Sequence, residues 1–189
     1  PGMYSKVQAP GYSIRVADSM YMKDSFRDTM YSRIAASPLT LPAKMVYSDN
    51  DFIFLGYIVE AVTGMSLNDY ATQQFYQPLH MASTGYLPLH TTTVDNIAAS
   101  EEDHYFRNEL IRGSVHDEGA ATMGGIAGHA GLFSNATDLA TLYMMLLNKG
   151  SWEGKKYLDA STIEQYTAYN TNNSRRGLGF DKPEKDNAN

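Results

Sequence analysis

The sequence contains no cysteine in 189 residues, which excludes disulfides, thiolate metal sites and cysteine nucleophiles together. It has one tryptophan and no stretch approaching eighteen consecutive apolar residues, so no membrane segment is expected. Positive charge is scarce: 15 Lys and Arg stand against 21 Asp and Glu, a formal net charge of −6. No basic run is long enough to neutralise a line of phosphates, which argues against nucleic acid and anionic membrane surfaces as partners. The opening "PGMYSKVQAP" lacks the basic and apolar regions of a secretory signal. What is present is ordinary for a folded chain, with 43% hydrophobic and 19% charged residues, and it excludes disorder. Fourteen Tyr and ten Met are expected to cover amphipathic helix surfaces that pack on one another.

The organisation reads as a single domain, 1–189, mainly α-helical with long irregular loops and little strand. Its parts are an extended leading segment (1–23), a helical body (24–169) and a polar tail (170–189). Asp24 or Ser25 is expected to cap a first helix with Phe26, Met30, Tyr31 and Ile34 on its buried face, stopped by Ser37-Pro38. "KMVYSDNDFIFLGYIVE" (44–60) opens a second, capped by Asp49 or Asn50, with Phe52, Leu55, Ile58, Val59 and Val62 at helical spacing and Gly64 as its stop. Ser66 and Asp69 resemble a capping box for a third helix that ends before Pro78. From His80 to Arg112 the periodicity fades into a long irregular connection. Beyond it, Ser134 or Asn135 caps a helix running to Gly150, and a short helix over 161–169 precedes a polar tail in which Leu178 and Phe180 offer strand residues.

Three constellations can carry chemistry. In Tyr47-Ser48-Asp49, a phenol with an ordinary pKa of about 10 acts as a general base where cations stabilise its phenolate; otherwise it is a packed aromatic with a wet hydroxyl. His116-Asp117-Glu118 with His129 has the residue types of a metal site. However, three adjacent residues do not easily converge on one ion, and the alternative is a loop braced by side-chain hydrogen bonds. "GGIAGHAGLFS" lacks the spacing and the Lys of a phosphate-binding loop, and its glycines are expected to permit close backbone approach under the helix that follows.

In order and spacing these segments resemble the serine β-lactamase and penicillin-binding-protein family, in its class C-like esterase and DD-peptidase branch. "VYSDNDFIFLGYIVEAVTGMSLNDYATQQFYQPLHMASTGY" is similar to the family's Tyr-x-Asn region, and "GGIAGHAGLFSNATDLATLYMMLLNKG" to the Gly-Gly turn and Asp-Leu-Ala helix that follow. "VHDEGAATMGGIAGHAGLFS" is closer still to modules of Bacteroidetes-type proteins, some of which sit behind a family 3 glycoside hydrolase module. The resemblance spans 24–180. It implies the helical subdomain of a β-lactamase/transpeptidase-like fold, a serine hydrolase acting on acyl-D-amino acid peptides, β-lactams or esters, no cofactor, and a periplasmic or extracellular location.

Carried over residue by residue, the resemblance makes Tyr47 the motif Tyr that shares proton abstraction with the motif Lys, and puts Asp49, as a substrate-binding residue, where Asn is usual. The family's nucleophile lies in Ser-x-x-Lys and its closing strand in Lys-Thr-Gly or His-Thr-Gly. Neither pattern occurs in these 189 residues, so the chain is expected to be an internal fragment, inactive alone. Two alternatives stand beside this one. The first is a non-catalytic cell-wall or peptide-binding module partnering a glycosidase. The second is a metal-dependent hydrolase built on His104, His116, Asp117 and His129.

Overall fold

The structure is a computed structural model that describes residues 2–38, 46–169 and 175–183. The chain divides into two units, 1–73 with 83–134 and 74–82 with 135–189.

In the first unit the leading segment folds into a three-stranded antiparallel sheet of order β1-β3-β2, formed by β1 (Tyr4–Ser5), β2 (Ile14–Ala17) and β3 (Met20–Met22). A bulge between Arg15 and Ala17 turns Val16 and Ala17 inward, and Val16 and Met22 are buried completely. Onto them pack Phe26, Met30, Tyr31 and Ile34 of α1 (Phe26–Ala35), the face its spacing predicts. Ser25 precedes α1 without a side-chain cap, and Asp24, the other expected cap, instead accepts from the Ser13 N–H and Oγ at 2.6 and 2.7 Å. Those two bonds hold the Asp24 carboxyl below its ordinary range.

Helix α2 (Asp49–Thr63) ends on Gly64 in the left-handed conformation, as expected, and α3 (Leu67–Ala71) begins on Ser66, whose side chain accepts from the Asp69 N–H. Glu60 joins the three helices. It takes Arg27 Nη2 on both carboxylate oxygens at 2.8 Å and accepts the Leu67 N–H at 3.1 Å. The buried face of α2 differs from the expected one: Ile53 and Gly56 are inside, whereas Phe52, Leu55, Ile58 and Val62 stand exposed.

The fold is not mainly α. Of the described residues 39% are helical and 16% extended, in three small sheets and three isolated bridges, which makes the architecture mixed α/β. The long irregular connection contains an antiparallel hairpin, β4 (Ala99–Asp103) with β5 (Glu109–Arg112). Strands were hard to anticipate because they are short and polar: β4 reads "ASEED", without the apolar alternation or β-branched residues that mark a strand. What organises its turn is a set of side-chain hydrogen bonds from Asp103 and Arg107, which no hydropathy pattern marks.

In the second unit, α5 (Ala136–Leu147) starts on Asn135, whose side chain accepts from the Asp138 N–H at 2.8 Å. A tight hairpin, β6 (Ser151–Trp152) with β7 (Lys155–Lys156), leads to α6 (Ala160–Thr167). Leu79, Met81 and Met145 form the core, with Leu142, Leu146 and Tyr157 packed on it. The expected strand around Leu178 and Phe180 reduces to a single bridge between Arg176 and Asp181. The remainder of the polar tail, 170–174 and 184–189, lies outside the described residues. No helix among the described residues is long and apolar enough to cross a membrane.

Candidate active site

The site is built on the N-terminus of α2. Ser48 is extended (φ −151°, ψ 133°) and its Oγ accepts the Asn50 N–H at 3.2 Å, so Ser48 is the cap and the helix starts one residue after it. Asp49 and Asn50, the sequence candidates for the cap, are therefore the first two helical residues. Asp49 and Asp51 place negative charge in the first turn, where the helix dipole favours it. Tyr47 lies one residue before that cap, outside the helix and 75% exposed.

The second part of the site is α4 (Glu118–Thr122), capped by Asp117, whose Oδ1 accepts the Ala120 N–H at 2.7 Å. The backbone leading to Asp117 is held by Arg107, whose side chain is fully buried. Arg107 Nη1 donates to the Val115 carbonyl at 2.7 Å, and Nη2 donates to the His116 carbonyl. Its Nε donates to Asp103 Oδ2 at 2.9 Å, and Asp103 also accepts the backbone N–H groups of Tyr105, Phe106 and Arg107 at 2.8 to 3.0 Å. Burial raises the pKa of Asp103. The bonds from Phe106, the Arg107 guanidinium, Tyr105 and the Arg107 N–H outweigh that, and the carboxyl is held well below the ordinary range. The turn of the β4–β5 hairpin thus clamps the two carbonyls immediately before Asp117.

The third part is the Gly-rich loop. His129 Nε2 lies 2.9 Å from the same Asp117 Oδ1, and the imidazole side chain is 4% exposed. Its neighbour Gly128 rests directly on α2: a Cβ there would stand 2.0 Å from the Phe52 carbonyl oxygen and 3.1 Å from the Gly56 nitrogen. The close approach expected of these glycines is present, but against α2 rather than the helix that follows. Asp49, Asp117 and His129 consequently each bring a ligand-type atom within 4.8 Å of the others, the one such group of three among the described residues, and Asp117 and His129 in it are already paired with each other.

His104 and His116 are not in that trio. His104 is exposed on the hairpin turn beside Glu102, and His116 contributes its carbonyl to Arg107. Glu118 accepts from the Tyr105 hydroxyl, which raises the Tyr105 pKa. The constellation His116-Asp117-Glu118 therefore works largely as a loop braced by hydrogen bonds. Sequence reasoning missed Asp103 and Arg107. Their i,i+4 spacing was visible, but nothing local separates a buried pair of that kind from a solvent-exposed one. A separate open groove lined by Arg15, Asp18, Glu109, Arg112 and Ser114 contains none of the site residues.

Chemically, the arrangement offers an exposed phenol and an exposed carboxylate at a helix start, backed by a second carboxylate whose position is fixed by three elements. Comparison with known proteins puts this in a family. The family model described as Beta-lactamase matches residues 8–185. A protein of Escherichia coli (strain K12) described as "Putative D-alanyl-D-alanine carboxypeptidase" is 35% identical over 179 residues, covering 87% of this chain and 41% of the relative. One of the same description from Salmonella enteritidis is 36% identical over 168 residues, covering 82% and 39%. The chain thus spans about two fifths of the length of the curated relatives it matches. Among solved structures, a penicillin binding protein from Bacillus halodurans superposes with a TM-score of 0.55 at 16% identity, over 81% of this chain and 45% of that one, a likeness of fold. With the family match running over nearly the whole chain and through every element that builds the site, the protein belongs to the beta-lactamase family.

Proposed function

We propose that this chain lines the cleft of a serine hydrolase acting on acyl-D-amino acid peptides, β-lactams or simple esters, with Tyr47 as the general base. The observation that carries the reading is the placement of Tyr47, an exposed residue one position ahead of the Ser48 cap of α2, a helix on whose backbone Gly128 lies at Phe52 and Gly56. A general base needs that combination of access and rigid support. The names of the curated relatives favour peptides ending in D-alanyl-D-alanine among these substrates. On this reading the nucleophile Ser and its Lys come from sequence outside these 189 residues, the protein works in the periplasm or outside the cell, and a glycoside hydrolase module is a candidate neighbour. Asp49, in the place of an Asn, accepts from an N–H or ammonium group, since an ionised carboxylate has no proton to donate.

The test uses the protein encoded by the full reading frame that contains these residues. It is incubated with a chromogenic β-lactam, a p-nitrophenyl ester and a peptide ending in D-alanyl-D-alanine. Saturable hydrolysis of at least one is expected, with Tyr47→Phe lowering kcat by about 100-fold or more. Asp49 supports a second reading, a non-catalytic peptide-binding module, because it presents an acceptor where the hydrolases present a donor. Binding of the peptide without hydrolysis of any of the three substrates would decide for that module and against the enzyme.

A further inference from the structure

We infer that His129 is a positioning residue for the Tyr47–Asp49 start of α2, acting through a hydrogen bond from its Nε2–H to Asp117; this rests on the hydrolase reading above and deepens it. His129 and Asp117 are on different elements, so their bond ties the Gly-rich loop to the first turn of α4. The loop in turn lies directly on α2, with Gly128 against the helix backbone at Phe52 and Gly56. On the other side, Asp117 is held by the Ala120 N–H and by the Arg107 clamp on residues 115 and 116. The imidazole therefore bridges a loop that lies on the first turns of α2 and the residue that caps α4.

The ring's hydrogen bonding assigns its tautomer. Asp117 Oδ1 faces Nε2, whereas Nδ1 is buried with no partner among the described residues. A proton on Nε2 is satisfied by the carboxylate, while a proton on Nδ1 would be a buried donor without an acceptor. The ring's N–H is thereby committed to Asp117. Asp49, with a carboxylate oxygen within 4.8 Å of both partners, stays on the exposed side of the trio and faces the solvent that substrate would displace. The bond is also closely fitted: a Cβ at Gly119 would stand 3.2 Å from Asp117 Oδ1 and 3.4 Å from His129 Nε2. A side chain there would crowd both.

The roles of ring packing and of the N–H separate by substitution. His129→Phe keeps an aromatic ring and removes the donor, whereas His129→Gln keeps an amide donor at about the reach of Nε2. In the full-length protein, His129→Phe is expected to lower kcat by roughly 10- to 100-fold with KM within about twofold, and His129→Gln to restore most of kcat, since misplacement of a catalytic group by about 1 Å has effects of this size. Equal kcat for wild type and a folded His129→Phe would overturn the proposal, as would equal losses in the Phe and Gln variants. A second readout does not depend on turnover: fluorotyrosine at position 47, followed by fluorine NMR, together with nitrogen-15 spectra of the labelled histidines. The expected result is a protonated Nε2 and a bare Nδ1 in wild type, with a Tyr47 resonance displaced in the Phe variant and not in the Gln variant. A Tyr47 resonance indifferent to both variants, or a proton on Nδ1, would defeat the positioning role. Failure of wild type to hydrolyse any substrate would instead count against the hydrolase reading, and the spectra would still decide the role of His129.

Discussion

Gly128→Ala is the sharpest test of how the site is held together. The residue's φ is outside the left-handed region, so alanine is allowed by its backbone, and the whole penalty is steric. The added Cβ would sit 2.0 Å from the Phe52 carbonyl oxygen, against an ordinary C···O contact of about 3.3 Å, so the loop must retreat by about 1.3 Å. The obstacle is helix backbone, which cannot rotate away as a side chain does. Overpacking costs about 1–3 kcal/mol, and this contact belongs at the upper end. The same retreat stretches the 2.9 Å bond from His129 to Asp117, adding about 1 kcal/mol, and the reduced freedom of the unfolded alanine chain offsets about 0.7 kcal/mol. The net is a loss of about 3 kcal/mol, or a Tm lowered by roughly 6–12 °C for a chain of this size. Gly56→Ala is the control. Its Cβ would meet Gly128 at 3.1 Å and the Leu67 side chain at 3.4 Å, and the helix propensity gained, about 1 kcal/mol, nearly balances that crowding. Circular dichroism melts of the two variants check the pair. A Gly128→Ala protein melting within about 2 °C of wild type would refute the claim that loop and helix are in backbone contact.

Other consequences are simpler. Asn135→Ala removes the side chain that accepts from the Asp138 N–H at 2.8 Å and should cost about 1 kcal/mol in urea unfolding, with the m-value unchanged. Asp103 has a folded pKa depressed below the unfolded one. Its contribution is therefore present above about pH 4 and is lost as pH falls through the folded value. Asp103→Asn should accordingly lower the Tm at pH 7, and its deficit relative to wild type should shrink as the pH is taken down towards 2, followed by melts across that range. Deficits equal at both ends would mean that the charge of Asp103 does not matter.

Much of the helical layout is legible in the sequence, because helix starts and stops are local chemistry. Gly64 and Ser66 are used as their residue types predict, and Asn135 caps the helix after the Gly-rich loop. The apolar face of α1 was legible because four side chains at helical spacing meet a sheet. The face of α2 was not. Its most regular stripe, Phe52, Leu55, Ile58 and Val62, is exposed, while Gly56, which has no hydropathy signal at all, is buried against another glycine. The hairpin β4–β5 was equally silent, since "ASEED" carries the composition of a solvated loop and its turn is ordered by Arg107 and Asp103.

The sequence by itself determined where Tyr47 and Asp49 stand along the chain and that a helix begins beside them, since capping and termination depend on residues within one turn. Ser48 rather than Asp49 as the cap shifted that start by a single residue. Only the tertiary structure decided which groups share the site. Of the five residues Asp49, His104, His116, Asp117 and His129, it brings Asp49, Asp117 and His129 together and leaves the two other histidines outside. The reason is that convergence across 80 positions of chain, from Asp49 to His129, depends on a glycine thin enough to let a loop lie on a helix and on a buried arginine that holds two carbonyls. Neither leaves a periodic or compositional trace.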